Sequence, residues 1–286
     1  MSAARAIGLL LGAAADGVIT RPKRPAALLR DFGGYASGVA GGLVVAGVIA
    51  ERAAKRSPLA HALGTAVATW AVLGASRLAA DGTALARDLE EGELDAARET
   101  LAGLDPRCTE SLDVIGLSRA SVESVAQQTN DAVVGPMFWG AVAGIPGLVA
   151  ARALSLLRGP DYVARLADLV NLAPTRYAAA LTVTGAPVVG GSASGAWRAW
   201  RRDTAAHPSP NAGRVEAAFA GALEIRLGGR TVYRHGVEEL PVLGDGRNPD
   251  AGHVTRAVEL SRVVGWLTTF SSAVLAVLTG LRRRRS

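Results

Sequence analysis

The chain has 286 residues, 31 basic against 25 acidic, with 49% hydrophobic and 20% charged side chains and a mean hydropathy of +0.24. That balance excludes a disordered chain, which needs low hydrophobicity and high charge. It also sits apart from ordinary soluble domains, whose charged fraction is about a quarter. A single cysteine, Cys108, excludes an internal disulfide framework or a cysteine zinc cage. Aromatic residues at 5% are too few for a nucleic-acid stacking platform. Arginine supplies 29 of the 31 basic residues, and the net charge is +6. Taken alone, that charge would suit nucleic acid, but its distribution argues for a membrane.

In chain order, apolar segments fall at 6–19, 32–50, 59–76, 132–151, 177–197 and 263–281, the first shorter and carrying Asp16. A helix needs about 20 apolar residues to cross a hydrocarbon core, and in lipid the backbone must satisfy its own hydrogen bonds. The pattern predicts an all-α, polytopic membrane protein with five to six spans in one domain over 1–286. Segment 32–50 is rich in glycine, which suits close helix packing. Segment 177–197 holds Gly185, Pro187, Gly190 and Gly191 and reads as broken or re-entrant. Segment 263–281 is the strongest, followed by Arg282 to Arg285.

The first segment resembles a signal peptide, yet Asp16 and the apolar segments downstream favour a retained helix. Asp16 either faces protein or water, or sits at the membrane interface. Positive charge follows both of the first two segments, so the positive-inside rule contradicts itself there and one segment need not cross.

Two polar sections remain. Residues 81–131 carry 12 acidic side chains against four arginines, a net of −8, which leaves +14 on the rest of the chain. Leu85, Leu89, Leu94, Ala97 and Leu101 recur at helical spacing, and Gly92 separates two helices. Further on, Glu123, Gln127 and Asn130 share one helix face, with Ser124, Gln128 and Asp131 on the next. This polar stripe leads into an apolar segment. The second section, 198–262, contains Ser209-Pro210, a good helix start. A helix is expected over Val215 to Leu227, and its free N–H groups either bind phosphate or are simply capped. His61 lies in an apolar stretch, and no two histidines have metal-ligand spacing.

Three strings carry a family resemblance. They are the run from Ala120 to Trp139, the run A-H-P-S-P-N-A-G-R-V-E-A-A-F-A-G-A-L-E-I-R-L-G-G from Ala206 to Gly229, and Leu243-Gly244-Asp245-Gly246-Arg247. In this order they resemble the CobD/CbiB family of cobalamin biosynthesis, integral membrane proteins described as adenosylcobinamide-phosphate synthases. The chain departs from the family pattern at Gln127-Gln128, where Glu-Asn is usual. It departs again at Arg152 to Arg158, where Asn, Thr and Asp are lost. Of the paired aspartates in the following loop only Asp168 survives, and an H-P-V motif is absent around Arg21 to Leu28, while Asp16 matches.

The resemblance implies amide formation between a carboxylate of adenosylcobyric acid and aminopropanol or its phosphate, with ATP and Mg²⁺, in the cell membrane. Its partners would be the corrinoid, the small amino-alcohol and lipid, and no nucleic acid. Such chemistry needs a base, donors for phosphates and hard oxygen ligands for the cation. Glu123, Asp131 and His207 are the catalytic candidates, His207 alternatively serving as a loop hydrogen-bonder. Ser209, Asn211, Arg214, Glu216, Asp245 and Arg247 are the substrate or phosphate candidates. Glu123, Asp131, Asp245 and Glu216 could hold metal. No Walker-type loop occurs. The rival readings are a non-catalytic membrane partner in corrinoid assembly, favoured by the lost polar residues, and a transporter.

Overall fold

A computed structural model describes residues 1–19, 36–156, 161–233 and 236–285. The expectation of a missing H-P-V motif near residues 21–28, the first part of segment 32–50 and residues 157–160 lie outside the described residues. The elements in order are α1 (Ser2–Val18), α2 (Ala36–Ala54), α3 (Pro58–Val72), α4 (Ala75–Glu91), α5 (Leu94–Leu104), α6 (Val114–Thr129), a π turn (Asn130–Val134), α7 (Gly135–Ala143), α8 (Ile145–Leu156), α9 (Asp161–Gly185), a 3-10 turn (Ala186–Val189), α10 (Ala193–Asp203), a second 3-10 turn (Thr204–Ala206), α11 (Pro210–Leu223), β1 (Leu227–Tyr233), β2 (Gly236–Leu243) and α12 (Ala251–Arg285). The chain forms two compact units: Met1–Ser76 with Asp131–Pro174 and Trp266–Ser286, and Arg77–Asn130 with Thr175–Gly265.

The first unit is built on apolar helices. Leu9, Leu73, Met137, Ala141, Leu148, Ala273 and Ala276 form its core. The close helix contact is made by Gly8 and Gly12 of α1, where a Cβ would lie 2.5 Å from the Ala62 and Ala66 carbonyls. It is not made by Gly38, Gly41 and Gly42 of the glycine-rich segment, which face open space. Asp16 is buried, and its Oδ2 accepts from the Ser76 N–H at 3.0 Å, so it caps the start of α4 and faces protein.

Segment 132–151, expected as one span, is two short helices, α7 and α8, packed on each other. The break is Gly144, at φ +77°, a left-handed conformation that glycine adopts at little cost. The Ile145 N–H at the start of α8 donates to Glu51 Oε2 at 3.1 Å. Glu51 Oε1 also accepts from Arg5 Nη2 at 2.9 Å and lies 3.2 Å from His61 Nε2. His61, which the sequence placed among apolar neighbours, is fully buried in this ion network.

Segment 177–197 is broken as expected: α9 ends at Gly185, a 3-10 turn follows, and α10 starts at Ala193. Among the described residues, two helical runs are long and apolar enough to cross a membrane, Pro58–Glu91 and Ala251–Arg282. Only 28% and 33% of their apolar windows are buried, whereas a soluble core helix would be mostly covered. On α12, Trp266, Phe270, Val274 and Leu278, four residues apart, form an exposed apolar stripe. Of the six expected segments, those at 59–76 and 263–281 fall within these two runs.

The second unit is helical with a two-stranded antiparallel sheet that the sequence reading did not foresee. The helix from Ser209 ends at Leu223, four residues short of the expected Leu227, because Glu224 turns left-handed at φ 58° and the chain enters β1. Strand β1 pairs with β2 in the register Arg230↔Glu239 and Val232↔Val237, with a bulge between Leu227 and Gly229. The Cys108 N–H donates to the Val232 carbonyl at 2.8 Å, laying the segment after α5 along the hairpin edge. Phe219, Leu117, Leu223, Ile225, Leu227 and Leu243 fill the core.

Candidate functional site

The polar stripe of α6 meets α11 and the hairpin within the second unit. Asp113 starts α6, its side chain accepting from the Gly116 N–H at 2.7 Å. Two turns on, Glu123 is 2% exposed. Its Oε2 accepts from Arg107 Nη1 at 2.6 Å, and its Oε1 from the Gly228 N–H at 2.6 Å. Gly228 can present that amide because it sits at φ +81° in the β1 bulge, where an added Cβ would strike the Pro241 carbonyl. Arg107 also pairs with Asp105 at 2.9 Å, and Asp105 accepts from Ser124 Oγ at 2.8 Å.

Burial would raise the Asp105 carboxyl, but the charge and hydrogen bonds of Arg107 outweigh it and hold the group below the usual range. Arg107, against the cost of its own burial, is held more firmly protonated by Glu123 and Asp105. This arginine sits in the acidic section and was not singled out from sequence. Its scarcity there, one of four arginines among 12 acids, is the only signal that could have marked it.

Glu216, on α11, is a further buried carboxyl, 3% exposed. Its Oε1 accepts from Gln127 Nε2 at 2.5 Å, and its Oε2 faces His207 Nε2 at 3.6 Å. Burial first, then the charge of Glu123, push Glu216 up to about 8. His207, 8% exposed, precedes α11. Its Nδ1 lies 2.8 Å from the Ser209 carbonyl oxygen and 3.1 Å from the Ser209 amide nitrogen, and its buried Nε2 has no hydrogen-bond partner. Glu216, pushed up in this way, favours its protonated form at neutral pH.

Ser209 caps α11, its Oγ accepting from the Ala212 N–H at 3.4 Å, with Pro210 at the first position, as the sequence indicated. Asn211 Oδ1 accepts from Thr175 Oγ1 and from Arg214 Nη1, each at 3.2 Å. The remaining candidates stand elsewhere. Asp245 is exposed and bound by both terminal nitrogens of Arg202, at 2.5 and 2.8 Å. Arg247 donates from Nε to His253 Nε2 at 3.2 Å. Asp131 belongs to the first unit, where its carbonyl accepts from Arg152 Nη1 at 3.1 Å and from Ser155 Oγ at 3.3 Å.

Within the second unit, Glu123, Glu216 and Asp245 do not converge as a cation site. Among the described residues no three His, Cys, Asp or Glu side chains could hold a metal ion. Arg107 and Gly228 occupy Glu123, and Arg202 occupies Asp245, so these carboxylates do not fit Mg²⁺ as they stand.

Fold and site define a helical protein with long apolar helices and a buried polar cluster of Glu123, His207 and Glu216, joined by the half-buried Gln127. The family model for CobD/Cbib protein matches residues 6–160 and 161–261, and the chain belongs to that family. A Cobalamin biosynthesis protein CobD of Mycobacterium tuberculosis is 45% identical over 98% of this chain and 97% of its own length. Proteins of the same name from Chromobacterium violaceum and Pelobacter propionicus are 35% and 33% identical, covering 81% and 79% of this chain and 77% and 73% of their own. No solved structure matches the chain.

Proposed function

We propose that the chain acts in cobalamin biosynthesis as a membrane-bound ligase. It would join a carboxylate of adenosylcobyric acid to aminopropanol or its phosphate in an amide bond. The observation that carries the reading is the Glu216–His207 pair, a buried carboxyl pushed up to about 8 lying 3.6 Å from a buried imidazole nitrogen that has no hydrogen-bond partner. Amide formation needs the corrinoid carboxylate activated. Its oxygen attacks the terminal phosphorus of ATP, the bond to ADP breaks, and an acyl phosphate results. The amine nitrogen then attacks the acyl carbon, the carbon–oxygen bond to phosphate breaks, and the amine's proton passes to the base. His207 Nε2 takes that proton, and Glu216, kept protonated by its burial, lies 3.6 Å away. Glu123 acts on Glu216 through its charge, fixed in place by Arg107 and Gly228, as a positioning residue.

Arg214, Asn211 and the Ser209 helix start supply donors for phosphate. Because the carboxylates do not form a cation site, no step is routed through one. The exposed apolar faces of the two long helical runs support association with a membrane, and the reading places the chain in the cell membrane with several passes.

The test is restoration of corrinoid synthesis in a host lacking its own synthase, with the condensed amide measured from purified protein. Product from wild type and its loss in His207→Ala and Glu216→Gln is the expected result. A second reading, a non-catalytic assembly partner, draws on Gln127 standing where the family pattern has Glu. Absence of product from a chain verified in the membrane favours it.

A further inference from the structure

We infer that the outward face of α10 lies against the acidic headgroups of a lipid bilayer. The helix is pinned on its other side. A Cβ at Gly195 would lie 2.5 Å from the Gly221 carbonyl, so α10 and α11 touch backbone to backbone, and Ala196, Ala199 and Asp203 are buried. Helical spacing then turns Trp197, Arg198, Arg201 and Arg202 outward, where all four are exposed. The Arg201 guanidinium lies 5.7 Å over the Trp197 ring, an indole left 50% exposed. Asp203, the single acid of α10, is bound by Arg202 and by the Gly244 amide. The exposed Asp245 also binds Arg202. Arg198 and Arg201 therefore give the face its surplus of positive charge.

The position of α10 supplies the partner. Arg256 Nη2 of α12 donates to the Gly190 carbonyl at 3.0 Å, which fastens the turn leading into α10 to that long helix. The run Ala251–Arg282 of α12 is long and apolar enough to cross a membrane, and its uncharged segment begins at Val263. Arg256 stands about 10 Å before Val263 along the axis, at 1.5 Å per residue. The turn and the start of α10 thus fall at the depth of the headgroups rather than the acyl chains. Tryptophan and arginine suit that layer: the indole is apolar with a polar edge, and the guanidinium fork pairs with phosphate oxygens. Val188, 71% exposed in the same turn, adds apolar contact. Surplus positive charge selects an acidic headgroup over a zwitterionic one. This contact rests on the membrane reading of the chain and deepens it, naming the lipid class and the residues that meet it.

The test reconstitutes the full chain in vesicles of phosphatidylcholine, alone or mixed with phosphatidylglycerol, and follows tryptophan quenching by acyl-brominated lipid. The share due to Trp197 is the difference between wild type and Trp197→Phe. That share is expected to rise with phosphatidylglycerol. The phosphatidylglycerol fraction giving half the rise should increase about threefold in Arg198→Gln/Arg201→Gln and stay unchanged in Arg230→Gln on the hairpin. Should the double variant not fold, Arg198→Gln alone, at an exposed position, must shift the curve in the same direction. Quenching of Trp197 that is independent of phosphatidylglycerol, or equal in wild type and the arginine variants, overturns the inference. So does a Trp197 quenched by aqueous iodide and not by brominated lipid. Loss of the lipid quenching on adding soluble polyglutamate would assign the face to an acidic protein and overturn it as well. Flotation with phosphatidylcholine vesicles after a high-salt wash tests membrane residence by itself. A chain that does not float sinks the membrane reading together with this contact, whereas one that floats without a phosphatidylglycerol effect sinks the contact alone.

Discussion

Gln127 donates to Glu216 across 2.5 Å, joining α6 to α11 through residues 89 apart in sequence. An amide at 127 serves Glu216 in either protonation state, whereas a carboxylate there would have to share a proton with it, as close carboxyl pairs do. Gln127→Glu is therefore expected to push Glu216 further up and to lower the melting temperature at pH 8 to 9 while leaving it near wild type at pH 5. Thermal unfolding followed across that pH range checks this. A variant with no alkaline loss would mean that the two side chains part rather than share the proton.

Glu216 also sets a pH dependence of stability. Its ordinary value is 4.5 and its folded value about 8, so the folded state retains a proton that the unfolded state releases. The cost is absent below about pH 4.5, grows as pH rises, and is complete above about pH 8. Asp105 works in the opposite sense: lowered in the fold, it stabilises above its unfolded value, and that contribution is lost as pH falls through its folded value. Glu216→Gln should abolish the alkaline loss, with a gain of a few kcal/mol at pH 9 and none at pH 4, and should remove amide-forming activity. Denaturant unfolding at the two pH values decides it.

The Arg107–Glu123 pair is almost wholly enclosed, with side chains 5% and 2% exposed. Removing one partner of a buried pair leaves an uncompensated charge, a loss of about 3–5 kcal/mol. Arg107→Ala should show it. Gly228→Ala should reach a similar loss by another route, through backbone strain at φ +81° and a clash with the Pro241 carbonyl that pulls the amide from Glu123. Equal stability of either variant to wild type would show that the hairpin does not anchor Glu123.

In the first unit, Glu51 gathers Arg5, His61 and the Ile145 amide. Glu51→Ala strands a buried arginine and uncaps α8, and is expected to lower stability by about 3–5 kcal/mol. Glu51→Gln, which retains the cap but not the charge, should lose less. Tryptophan-fluorescence unfolding in detergent separates the two, and equal losses would point to the charge alone.

Local chemistry determined much of this fold from the sequence by itself. Ser209-Pro210 starts a helix and Gly92 ends one, because caps and left-handed turns depend on a few adjacent residues. The broken segment at Gly185 to Ser192 and the polar face of α6 were legible for the same reason, and three contiguous strings carried the family. Other features belonged to the tertiary structure. Periodicity marked 132–151 as one apolar span, but it cannot see that Glu51, 94 residues before Ile145, caps a second helix there. The hairpin's alternation is interrupted by Gly228 and Gly229, whose bulge makes sense only with Glu123 beneath it. Glu123 and Glu216 read alike in sequence, as acids on helices. Distance and burial alone made one an ion-paired anchor and the other a carboxyl that holds its proton, since a charge is set by partners that spacing along the chain does not specify.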